Sequence, residues 1–195
     1  MKIEAKTITN DLDYLRQVSE EVDLKDPNLK TYINNLKEYF NVQPALAMAA
    51  VQVGIPKRLI YIRNTDYHDL EGEGKDEARI LINPRIINKI GHTRYWEACV
   101  SCLDKMGLVD RPYEIEIEYY LEDGTIKSEK FTGFEATVLS HEYDHLDGIL
   151  HIDRAVQVYE LPQEKRKEFR NFLPNNGYEI ISKDGIFQYE SIKNN

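Results

Sequence analysis

No run of apolar residues in this sequence approaches the roughly 18 that a membrane-spanning helix needs. The opening segment, MKIEAKTITNDLDYLRQ, mixes charges throughout and lacks the apolar stretch of a signal peptide. A cytoplasmic chain with no membrane contact is the expectation. Positive charge is also in short supply. The 25 basic residues face 34 acidic ones, and the formal charge of −9 argues against direct nucleic-acid binding. Cysteine is scarcer still: Cys99 and Cys102 are the only two, spaced C-x-x-C. In a reducing compartment that spacing points to metal or redox chemistry more than to a disulfide. Neither an internal repeat nor a linker divides the chain. Its 195 residues, 42% hydrophobic and 30% charged, suit a single soluble globular domain.

The pattern of what remains is helical first. Segment 26–40 places Asp26 as a cap, Pro27 in the first turn, and Leu29, Ile33, Leu36 and Phe40 on one apolar stripe. A shorter helix is expected in LDYLRQVSEEV, with Leu12, Leu15 and Val22 facing inward. Segments 58–63 and 79–88 read as strands, the second interrupted by Pro84. The polar stretch between them reads as a loop in which His68 is a solvated residue. In YEIEIEYYLEDGTIKSEKF, Ile115, Ile117 and Tyr119 alternate with glutamates, and Asp123-Gly124 supplies a hairpin turn. Segment 134–146 reads as a helix with Phe134, Val138, His141 and His145 along one side and Gly148 just past its end. Beyond residue 156 a helix over LPQEKRKEFRNFL and a final hairpin over NNGYEIISKDGIFQYE are expected. The order makes this an α+β fold.

Chemistry concentrates in SHEYDHLDG, residues 140–148. On a helix, imidazoles four residues apart project from one face and reach one ion, with Glu142 alongside. A catalytic metal site keeps three protein ligands and an open position. Cys99, Cys102, His151 or a carboxylate could supply the third. A closed structural site built from Cys99, Cys102, His141 and His145 is one rival, although the gap between its two halves is long for a zinc finger. A zincin-type peptidase is another, but no extended downstream pattern accompanies the histidines. For Asp144 a salt bridge to Arg111 fits better than catalysis, and Glu97 reads as a residue that orients its neighbours.

Two further stretches, ALAMAAVQVG (45–54) and EACVS (97–101), precede the histidine motif. Together the three resemble, in order and separation, the motifs G-x-G-L-A-A-x-Q, E-G-C-L-S and Q-H-E-x-D-H of the peptide deformylase family. The resemblance runs from about residue 8 to 155. It implies a catalytic domain over 1–155, small antiparallel or mixed sheets around the central helix, and a C-terminal extension, 156–195, packed on the same domain. Cys99, His141 and His145 would be the metal ligands. Glu142 would be the general base that takes a proton from the metal-bound water and returns it to the departing amine. The Gln52 side chain and the Val100 N–H would form the oxyanion hole. The substrate pocket would comprise Leu46, Ala47, Tyr95, Ala98, Phe134, Thr137 and Val138. The family removes the formyl group from N-formylmethionyl peptides or nascent chains near the ribosome, commonly with Fe2+; Zn2+, Ni2+ or Co2+ suit the same donors. A monomer is expected.

The departures are as specific as the matches. Ala45 and Ala47 replace both glycines of the first motif, and Ala98 replaces that of the second. Ser140 stands where glutamine usually precedes the first histidine. Two readings of the alanines stand open. Either a close peptide–backbone approach is lost, leaving a weak or inactive peptide binder or a hydrolase for another amide, or the alanines occupy ordinary backbone conformations.

Overall fold

The computed structural model describes residues 5–41, 45–63 and 78–189. Residues 64–77, including His68 and nearly all of the expected loop, lie outside them. Helix α1 is a single turn, Leu12–Leu15, shorter than expected. Leu15 and Val22 are buried as read, but Leu12 is 40% exposed, because the helix ends before the stripe can repeat. Helix α2, Leu29–Asn41, buries Leu29, Ile33, Leu36 and Phe40 as its periodicity demands. Its start is capped by Asp26, whose carboxylate accepts the Asn28 N–H at 2.8 Å.

Strands β1 (Ala47–Ala49), β2 (Leu59–Arg63) and β3 (Ala78–Ala98) follow, then β4 (Lys105–Arg111). The expected hairpin is β5 (Glu114–Tyr120) and β6 (Ile126–Thr132), with Ile115, Ile117 and Tyr119 all buried. The histidine helix α3 spans Phe134–Leu146, followed by the single turn α4, His151–Arg154. The extension adds β7 (Gln157–Glu160), a 3-10 turn with the short helix α5 (Arg166–Asn171), and β8 (Tyr178–Ile186).

Where small sheets were expected, one eight-stranded antiparallel sheet is found. The connector is β3, which is 21 residues long and pairs in turn with β2, β5, β8 and β4. It can change partners because it is bulged. Its register shifts between Ile82 and Arg85, where Asn83 takes a left-handed φ of 50° ahead of Pro84. Asn83 is held there by two hydrogen bonds to the Val22 backbone, at 2.8 and 2.9 Å. The final segment is likewise no hairpin. It forms the single strand β8, because β3 offers its unpaired edge over Ile90–Tyr95. Its end wraps on: Phe187 donates its N–H to Lys89 O, and Tyr189 reaches the buried Arg111.

Two apolar layers fix the central helix. Leu29, Ile33, Leu36 and Phe40 of α2 pack with Leu59, Tyr61 and Ile82 on one side of the sheet. Ala136, Leu139 and Leu146 of α3 pack with Ile60, Ile62, Leu81, Ile115 and Phe131 on the other. Because α3 is buried on that apolar face, its opposite face turns His141, Glu142 and Val138 toward a pocket. Gly148 ends the helix at φ 71°, where a Cβ would stand 2.3 Å from Arg16 O.

Candidate active site

The helical spacing does bring the two imidazoles together, with ring centroids 5.0 Å apart. Cys99 reaches them from the end of β3, where it is extended and followed by a 3-10 turn over Val100–Cys102. The ligand atoms of Cys99, His141 and His145 all lie within 4.8 Å of one another. Cys99 Sγ and His145 Nε2 are 3.3 Å apart. Sulfur and nitrogen donors about 2.3 and 2.1 Å from one tetrahedral ion would stand about 3.6 Å apart, so the donor set fits a metal. His145 Nδ1 has no hydrogen-bond partner among the described residues.

Neither other candidate ligand joins this group among the described residues. Cys102, fully buried, lies outside the group of mutually close donor atoms, which argues against the closed four-ligand site. His151 stacks on His141 with centroids 5.5 Å apart. Burial, with the neighbouring His141 charge, pushes its imidazole down to about 4.

A buried ion chain underlies the histidines. Glu97 accepts His141 Nδ1 at 2.8 Å and pairs with Arg111 at 2.7 and 2.9 Å. The Nδ1 contact turns His141 Nε2 away from Glu97 and fixes the ring. Arg111, fully buried, also bonds Asp144, which is held in turn by Arg154 at 2.7 and 2.9 Å. The Asp144–Arg111 pair read from the sequence is present, and Glu97 completes it. Burial opposes the charge on Glu97, but Arg111 and His141 outweigh it and hold the carboxyl far below its usual range.

Glu142 and Gln52 share one anchor. The Ala49 N–H lies 2.8 Å from Glu142 Oε2 and 3.0 Å from Gln52 Oε1. Gln52 follows on a 3-10 turn, Ala50–Val53, so its side chain folds back over the strand end. Its amide nitrogen therefore points inward, 3.3 Å from Cys99 Sγ and 3.2 Å from Ser101 Oγ. Burial pushes the Glu142 carboxyl up to about 7, a value suited to exchanging protons near neutrality. Val100 opens its 3-10 turn, a position at which backbone N–H groups lack internal partners.

These groups border a pocket of about 350 Å³. Leu46, Ala47, Tyr95, Ala98, Phe134, Thr137 and Val138 all line it, as do Gln52, Cys99, Val100, His141 and Glu142. His145 lies beneath, fully buried. The rings of Tyr95 and Phe134 meet edge to face at 5.0 Å. None of Ala45, Ala47 and Ala98 takes a positive φ, and Ala47 packs in the core. Their backbone does not call for glycine. Sequence reasoning did not find Gln163, Arg166 and Arg170, which reach the pocket from the extension. No local pattern signals them, since only tertiary packing brings residues so distant in the chain to β3.

A Cys-His-His cluster with a buried glutamate beside it, at the floor of a pocket in an antiparallel α+β frame, defines a metallohydrolase. The sequence model of polypeptide deformylase matches residues 5–160, and the chain belongs to that family. A peptide deformylase of Rhizorhabdus wittichii is 36% identical over 140 residues, 71% of this chain and 79% of that one. The Pelagibacter ubique enzyme is 35% identical over 140 residues, 71% of this chain and 78% of its own. A probable peptide deformylase from Synechococcus phage S-SSM7 superposes with a TM-score of 0.68 at 35% identity, over 78% of this chain and 99% of the other. The peptide deformylase of Synechococcus elongatus, solved in complex with actinonin, gives 0.68 at 28% identity, over 80% and 79%. Among the described residues no helix is long and apolar enough to cross a membrane.

Proposed function

We propose that this chain hydrolyses the formyl group from N-formylmethionyl peptides, releasing formate, with Cys99, His141 and His145 holding one divalent metal. Ferrous iron is the cellular ion in this reading; zinc, nickel and cobalt suit the same soft-and-borderline donor set. When bound, such an ion supplies Lewis acidity, which acidifies water and polarises a carbonyl. The remaining work falls to the chain. Glu142 takes the proton of the attacking water and delivers it to the leaving amine. The Gln52 amide and the Val100 N–H face the developing oxyanion. The peptide's methionine side chain enters between Leu46, Tyr95, Phe134 and Val138, with Thr137 alongside, and the peptide runs against Ala47 and Ala98. Among the described residues β1 pairs with β2 alone, which leaves its other edge to add an extended peptide.

One observation carries the reading: Glu142 and Gln52 are fixed on the same Ala49 N–H, with the Gln52 amide turned to Cys99. A silent peptide binder has no use for that arrangement. In this reading residues 1–155 are the catalytic domain and 156–195 an extension packed on it. The chain works as a monomer in the cytoplasm, on nascent chains near the ribosome. The test is release of formate from formyl-Met peptides by protein prepared anaerobically with iron. Glu142→Gln should lower turnover by about two to four powers of ten, the range for lost acid–base catalysis, with metal content unchanged. Turnover close to the parent at equal metal loading would assign the proton transfers to another group.

A further inference from the structure

The extension sets two guanidiniums at the pocket of a strongly acidic chain. Arg166 and Arg170, one helical turn apart on α5, both line it. Each spends one terminal nitrogen on a backbone carbonyl: Arg166 on Leu103 O, and Arg170 on Trp96 O at 2.9 Å. Arg170 also lies over the Tyr95 ring, 5.1 Å from its centroid, which sets it beside the pocket's aromatic wall. Neither makes an ion pair with a carboxylate among the described residues. Arg16, Arg58, Arg79, Arg85 and Arg94 all do; Arg63, on Phe40 O, shares the lack of a carboxylate among the described residues but does not line the pocket. The Nε of both Arg166 and Arg170 is buried and has no hydrogen-bond partner among the described residues. A buried, unmet guanidinium N–H is costly unless something arrives to accept it. Burial, and then the like charge of Arg170, lowers the proton affinity of Arg166, with Asp104 opposing.

We propose that Arg166 and Arg170 form an anionic subsite that takes a carboxylate of the peptide substrate. That carboxylate is either an Asp or Glu side chain following the formylmethionine or the free C-terminus of a short peptide. The proposal rests on the deformylase reading and adds a charge preference to it. Arg166 and Arg170 reach the pocket from the extension, so a carboxylate carried by the peptide beyond the formylmethionine would meet the guanidinium nitrogens not spent on Leu103 O and Trp96 O. The two arginines are specificity residues, remote from the bond that breaks.

The experiment measures kcat/KM on amidated formyl-Met-Ala-Glu and formyl-Met-Ala-Lys, and on formyl-Met-Ala-Ala as free acid and as amide. Glutamate should be favoured over lysine by about tenfold, the scale of one charge-assisted contact, and most of the gain should lie in KM. The acid-to-amide ratio on the third peptide reports the terminal carboxylate separately. In Arg166→Gln/Arg170→Gln the preference should collapse to about one. Arg166→Lys/Arg170→Lys should retain part of it, which a purely tethering role for these side chains would not produce. Arg85→Gln, at an exposed pair with Glu118, should keep the parental ratio. Equal kcat/KM on all four peptides with the parent protein overturns the subsite while leaving the deformylase reading standing. Absence of formate release from every peptide defeats that reading itself. Far-ultraviolet circular dichroism and Tm verify folding of each variant. If the glutamine pair is unfolded, collapse of the parental preference at raised ionic strength decides the question, and a salt-independent preference overturns the proposal.

Discussion

At the scale of single residues, the two cysteines show how environment separates identical chemistry. Cys99 turns its sulfur to His145 Nε2 at 3.3 Å, while Cys102, buried at the end of the same 3-10 turn, stays outside the donor group. Elemental analysis should therefore find metal lost from Cys99→Ala and retained in Cys102→Ala. The reverse pattern would move the ligand to Cys102. The alanines of the first motif follow the same logic. Ala47 is 7% exposed in an extended strand, and its methyl group packs against the core. Ala47→Gly should cost about 1 kcal/mol, or about 2–4 °C in Tm at this size, through lost packing and a looser unfolded chain. It should bring no gain in kcat/KM on formyl-Met peptides. A gain would mean that the methyl group obstructs the peptide after all.

Between elements, polar knots hold the layers in register, and one of them makes a dependence on pH. On the hairpin β5–β6, Tyr119 donates its hydroxyl to Glu129 at 2.7 Å, and Arg79 of β3 grips the same carboxylate at 2.9 and 3.1 Å. Burial, then the hydrogen bond to Glu129, pushes the Tyr119 phenol up to about 12. Burial works against the Glu129 charge, but Tyr119 and Arg79 outweigh it and hold that carboxyl below its usual value. Both shifts make the contact a source of stability over a bounded window. The raised phenol contributes fully below its unfolded pKa of about 10 and loses that contribution as pH climbs toward 12. The depressed carboxyl contributes above its unfolded pKa of about 4.3 and loses it as pH falls through the lower folded value. Tyr119→Phe should be less stable than the parent at neutral pH. Chemical denaturation should show the gap narrowing above about pH 10 and again below about pH 4. A gap constant across both limits would assign the effect of the hydroxyl to packing alone.

Across the whole molecule, what was legible in the sequence was whatever repeats locally. The α2 stripe, the alternation of β5 and the H-E-x-x-H face of α3 each follow from a period, and each is present. The length of β3 was hidden, because its bulges at Asn83 and beyond break the alternation that signals a strand. The final strand was misread as a hairpin, because Lys183-Asp184-Gly185 has turn chemistry that β8 accommodates as a bulge, with Gly185 at φ 91° and Ser182 Oγ bonded to the Asp184 backbone. The pocket arginines were invisible for the same reason, since only β7 and β8 carry α5 to the site. How tightly that extension is joined to the rest can be tested at Gly91, where β8 crosses β3. Gly91 has φ 72°, and a Cβ there would lie 2.6 Å from Ser182 O and 2.7 Å from Tyr113 Cβ. Gly91→Ala must strain the backbone or push β8 away, at a cost of about 1–3 kcal/mol. If the extension folds as one body with the catalytic layers, the variant should keep a single thermal transition at a Tm lowered by several degrees, about 2–4 °C for each kcal/mol. Slowed-exchange amides of β8 and of α3 should then weaken together. If β8 amides alone lost protection while α3 kept the parental value, the extension would be a separate unit that docks after the domain has folded. In that case the Tyr189 contact to Arg111 would be a late addition to an ion chain already closed by Glu97, Asp144 and Arg154.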